Sequence, residues 1–112
     1  MVRTSDQDKA FQDQLSAWEA EHGRIAHVVG TGGSWEVVLR KPHRGEYKNF
    51  RAAVHKPERV ADATEVLFRQ TCIMPAGEKI DALLDDYPGV AEACGDVMRG
   101  LAGMAGDEAV KR

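Results

Sequence analysis

The chain has 112 residues, 43% of them apolar and 29% charged, with a formal net charge of −3. Those values exclude wholesale disorder and several independent domains, and they leave room for one modest core. The polar start MVRTSDQDKA lacks the apolar run of a signal peptide, and no stretch approaches the roughly 18 apolar residues of a membrane span, so a cytoplasmic protein without membrane contact is expected.

The first predicted element is a helix. Thr4 or Ser5 can cap it, and Gln7 stands three residues after Thr4 as in a capping box. Phe11, Leu15 and Trp18, with Ala10 and Ala17, then predict one broad inward face, and Gly23 suits the C-cap. A β-hairpin follows, with arms at about 25–29 and 35–40 rich in Val and Trp. On the second arm Trp35, Val37 and Leu39 share the expected core face, while Glu36, Val38 and Arg40 share the other. The loop GTGGS between the arms is read as a hairpin turn. It lacks the Walker pattern and joins strand to strand, so no helix N-terminus stands behind it to bind phosphate.

Lys41-Pro42 ends the second strand, since proline cannot donate to a ladder, and Pro42 suits the start of a helix over about 43–54. Tyr47, Phe50, Val54 and the alanines form its expected inward face. A further helix is predicted over about 59–73, with Val60, Ala63, Leu67 and Thr71 at helical spacing. Met74-Pro75-Ala76-Gly77 breaks the chain before a short helix over about 78–86. A last helix is predicted over about 88–101, with Val90, Cys94, Val97 and Leu101 as its stripe. The fold class is therefore α+β: an N-terminal helix, a hairpin, then a bundle of three to four short helices in a single domain, 1–103. Residues 104–112 are expected to form a flexible polar tail.

No constellation of residues spells out an enzyme. His22, His27, His43 and His55 are scattered, with no HxxxH pair and no cysteine at ligand spacing, so neither a metal nor another cofactor is expected. Cys72 and Cys94 form no CxxC motif and lie among apolar residues at helical spacing, which reads as two buried free thiols without a nearby base. Asp85-Asp86 reads as a solvated face, because adjacent helical side chains point apart.

Charge is more informative. Residues 40–59 hold seven basic side chains against two acidic ones, and residues 78–96 hold six acidic side chains against one basic one. Arg44, Lys48 and Arg51 recur at i, i+4 and i+7 and share a helix face. This bipolar pattern allows solvated faces, phosphate contacts to nucleic acid, or contact between the basic end of one copy and the acidic end of another. Nucleic acid is the weaker reading, given the net acidic charge and the absence of a nucleic-acid motif. The expected partner-binding surface is Arg40, Lys41, Arg44, Lys48 and Arg51, with Tyr47 and Phe50 beside them.

The segments WEAEHG, LRKPHRGEYKNF, VLFRQTC and LLDDYPGV, in that order, resemble a group of small phage proteins encoded among tail genes, the tail assembly chaperones. The resemblance spans about 15–103 and rests on a strand-to-helix junction with Pro42, Arg44 and Glu46 followed by a short helical bundle. It implies a non-catalytic function: binding the tape measure protein, keeping its helical segments soluble, and self-associating as the tail forms. The implied mode is an amphipathic helix in a groove, with Trp18, Trp35, Tyr47, Phe50 and Phe68 as candidate groove residues. A tail-associated adaptor that stays in the virion, or a small nucleic-acid-binding protein using residues 40–59, are the alternatives.

Overall fold

The computed structural model describes residues 4–103, so the expected tail at 104–112 lies outside the described residues. Nine α-helices and strands follow in order among the described residues, with short 3-10 turns at Thr31–Gly33 and Pro57–Arg59: α1 Ser5–His22, β1 Ile25–Val29, β2 Glu36–Arg40, α2 Arg44–Val54, α3 Val60–Thr71, β3 Cys72–Met74, α4 Glu78–Asp86, α5 Val90–Ala93 and α6 Gly95–Leu101. The architecture is α+β, with the N-terminal helix, the hairpin and the helical bundle where the sequence predicts them.

The caps form as the sequence chemistry demands. Thr4 Oγ1 accepts from the Gln7 N–H at 3.1 Å, while Gln7 Oε1 accepts from the Thr4 N–H at 2.9 Å. Gly23 closes α1 at φ +82°, a conformation that a side chain would oppose. In the GTGGS loop, Gly32 and Gly33 take positive φ, and the Gly30 N–H donates to the Trp35 carbonyl at 2.8 Å. A Cβ at Gly30 would collide with the Trp35 indole, so glycine is needed there for close approach.

The hairpin is extended by a third strand. β2 pairs antiparallel with β1 on one edge and with β3 on the other, giving the order β1-β2-β3. The helical reading of residues 72 and 73 is thereby corrected. Pro75 disfavours helical geometry just before it, and the free edge of β2 offers Cys72 and Met74 a ladder opposite Leu39 and Val38. The single last helix is likewise corrected to α5 and α6, which meet at Cys94 (φ −87°, ψ −2°) beside the poor helix former Gly95.

One apolar cluster joins the sheet to the bundle: Val37, Leu39, Phe50, Leu67, Phe68, Ile80, Val90, Cys94 and Met98 are all buried in it. Each large side chain removed from water here contributes about 1.5–3 kcal/mol. Trp35, expected on the core face, is only half-buried and precedes β2. Val38, expected on the opposite face, is also completely buried. It sits across from His27 in the register, and the Phe11 ring of α1 meets the His27 ring edge-on at 4.9 Å. The sheet is thus covered on both sides, by the bundle and by α1.

That second cover is thin. None of the 18 residues of α1 is buried; Phe11, Leu15 and Trp18 are half-buried, and Ala10 and Ala17 are exposed. The inward face of α1 is therefore narrower than its sequence suggests. In α3, Ala63, Leu67 and Thr71 point inward as predicted, joined by Thr64 and Phe68, while Val60 and Val66 face solvent. Val90, Cys94 and Leu101 of the expected last stripe are buried; Val97 is half-buried against the core, and Met98 joins them. Thr71 Oγ1 donates to the Leu67 carbonyl at 2.9 Å, and no buried side-chain polar atom among the described residues lacks a partner.

Candidate functional site: a basic groove at the start of the second helix

The junction from β2 to α2 builds a strongly charged concavity. Pro42 is buried and ends the strand segment, and α2 begins at Arg44. Arg44, Lys48 and Arg51 then line one wall, four and seven residues apart, because the opposite face of α2 must bury Phe50. Arg24 and Lys41 form the facing wall. They are adjacent because the hairpin register continues one step past the strands: the Lys41 N–H donates to the Arg24 carbonyl at 2.9 Å. Arg24 is held in turn by its Nη2, which donates to the Leu101 carbonyl at 2.8 Å. Half-buried Tyr47 and Ala102 complete a groove of about 1010 Å³.

Five permanent cations and His43 line this groove, and no acidic side chain does. No ion pair joins Lys41, Arg44, Lys48 or Arg51 to another described residue. Like charges gathered in a concave surface focus the potential outward, and the site is suited to a multivalent anion. The arrangement places no nucleophile beside a base.

Of the seven residues singled out from sequence, the structure brings Lys41, Arg44, Tyr47, Lys48 and Arg51 into this groove and places the other two elsewhere. Arg40 donates to both Glu46 oxygens at 2.9 and 2.8 Å and to the Gln70 carbonyl at 2.7 Å, tying β2 to α2 and α3. The Arg40 guanidinium holds the Glu46 carboxyl below its ordinary value of 4.5; the His43 N–H adds to this, and burial opposes it. Arg40 thus fixes the junction rather than facing a ligand. Phe50 is 6% exposed and belongs to the core, where its ring packs against Tyr47 at 5.6 Å between centroids. Phe68, another candidate groove residue, is completely buried.

Sequence reasoning missed Arg24, although its signal was present: extending the hairpin register by one residue sets it opposite Lys41. It also missed a cleft of about 300 Å³ between α2 and α3, floored by Phe50, Ala63 and Leu67 and edged by exposed Val66. The two thiols remain free. Burial pushes Cys72 up to about 12 and Cys94 up to about 11. Among the described residues no cluster of His, Cys, Asp or Glu is arranged to hold a metal, and no helix is long and apolar enough to cross a membrane.

No protein-family model matches the chain, and the search of curated proteins returned no match. A solved structure is similar in shape: that of an uncharacterised protein, rbstp2171, from Bacillus stearothermophilus. It superposes with a TM-score of 0.65 at 12% identity, over 80% of this chain and 91% of that one. At that identity the likeness concerns the fold alone.

Proposed function

We propose that this chain is a non-catalytic phage morphogenesis protein that, like the tail assembly chaperones it resembles, holds a tail protein and associates with itself during assembly. The supporting observation is the groove between Arg24, Lys41 and α2: five fixed cations, no acidic lining residue, and a half-buried tyrosine at its edge. Such a surface is built for an acidic protein segment, and its charge guides encounter as well as fit.

The tape measure protein is the partner that the resemblance nominates. Co-expressed with this chain, it is expected to stay soluble and to co-purify, and Arg44→Glu with Lys48→Glu is expected to release it. Co-purification unaffected by the double reversal would refute this assignment of the groove. The adaptor alternative predicts the protein in purified particles, from which a chaperone is absent. The nucleic-acid alternative predicts retention on DNA or RNA that weakens steeply with salt.

A further inference from the structure

The basic groove has an acidic counterpart on the same chain. α1 carries Asp6, Asp8, Asp13, Glu19 and Glu21 against Lys9 alone among permanent cations. Its apolar stripe, Phe11, Leu15 and Trp18, is turned to the sheet. On the opposite side Asp6, Ala10, Asp13 and Ala17 form a face that is exposed throughout. Small alanines between the carboxylates let another helix come close.

The spacing of the two surfaces matches. Asp6 and Asp13 are seven residues apart, about 10.5 Å along the helix, and so are Arg44 and Arg51 on α2. Two helices laid side by side therefore bring both carboxylates opposite both guanidiniums at once, with Lys48 between them. The α1 face cannot reach its own groove, because Phe11 on the far side of α1 is docked on His27 and turns the acidic face away from the sheet. The acidic stretch at 78–96 is a poorer counterpart. Asp81 is bound to Arg69 at 2.7 Å, Asp96 pairs with Arg99, and the remaining carboxylates are divided between α4 and α5.

We infer that the outward face of α1, through Asp6 and Asp13, docks in the Arg44–Arg51 wall of the basic groove of a second copy. This rests on the reading of the groove as a protein-binding surface, and it names the segment that mediates self-association. The contact is head-to-tail, so a docked pair keeps one free groove and one free α1 face, and the assembly grows as a ring or an open array. A tail protein that binds the groove would compete with this contact and dismantle the array.

The test uses the full chain and two variants at exposed positions, Asp6→Lys with Asp13→Lys and Arg44→Glu with Arg51→Glu, each checked for an unchanged circular dichroism spectrum. Sedimentation velocity of the wild type is expected to show an average mass that rises with concentration at low salt. That mass is expected to fall to the monomer at about 1 M salt, where the screening length is about 3 Å. Each variant alone is expected to be monomeric. Mixed one to one, the unaltered α1 of one variant meets the unaltered groove of the other and the two reversed surfaces complement each other as well, so the mixture is expected to associate again. A wild type that is monomeric at every concentration, a variant that still grows, or a mixture that stays monomeric would overturn the inference. So would loss of self-association in Glu78→Lys with Asp85→Lys, a variant that leaves both α1 and the groove intact. A monomeric wild type whose groove variant loses the tape measure protein would sink this inference alone; a groove variant that retains that protein would sink the functional reading.

Discussion

Replacing Arg40 by methionine separates a structural cation from the ligand-facing ones. Arg40 is 13% exposed and its partner Glu46 is 19% exposed, so the pair is largely withdrawn from water. Arg40→Met removes two charge-assisted hydrogen bonds to Glu46 and the bonds to the Gln70 and Lys41 carbonyls, and it leaves a half-buried carboxylate without its cation, held by the His43 N–H. Breaking a fully buried pair costs about 3–5 kcal/mol; residual solvation here reduces the expected loss to about 2–3 kcal/mol. With a urea slope of about 1.2 kcal/mol per M, the unfolding midpoint should fall by about 2 M. The loss should also depend on pH. Glu46 has a lowered folded-state pKa, so its stabilisation is present above 4.5 and disappears as pH falls through that lower value. The gap between wild type and variant should therefore be full at pH 7 and close in strong acid. Partner capture, by contrast, should survive at temperatures where the variant is folded. A midpoint shift below about 0.4 M, or a gap that widens in acid, would refute the assignment.

Two further outcomes follow from the packing. Gly30→Ala forces the Trp35 indole to move, although the backbone at φ −72° accepts alanine; thermal unfolding should register a loss of about 1–3 kcal/mol, and an unchanged melting temperature would contradict the observed contact. Cys72 and Cys94, with pKa values near 12 and 11, should react with a thiol reagent at pH 8 at under about a tenth of the rate seen in urea, since the thiolate is the reacting form. Equal rates in the two conditions would show that the thiols are not held in the core.

Much of the architecture was legible because it is written in local chemistry. Thr4 with Gln7, Gly23, and the GTGGS turn each specify a boundary within four or five residues. The third strand was not legible, because Thr71, Cys72 and Ile73 suit a helix end as well as a strand; the decision lies with the open edge of β2, more than thirty residues away. Val38 was misplaced for a related reason. A strand alternates faces, but alternation does not reveal that α1 covers the second face. At the site, the helical spacing of Arg44, Lys48 and Arg51 was enough to place them together. It could not separate Arg40, which belongs to the same run of cations but is turned inward by Glu46 six residues later. Nor does periodicity indicate that Arg24 stands across from Lys41; that comes from strand register.

The groove's occupancy by an acidic protein segment is the central claim, and salt-dependent binding tests it most directly. The wild-type chain is titrated with the tape measure protein by calorimetry at about 0.05 and 0.5 M salt, spanning screening lengths from above 10 Å to below 8 Å. Affinity should fall at least about tenfold across that range, and the salt dependence should flatten in Arg44→Glu with Lys48→Glu as its affinity drops at low salt. Binding of equal strength at both salt concentrations, unchanged by the double reversal, would contradict the account.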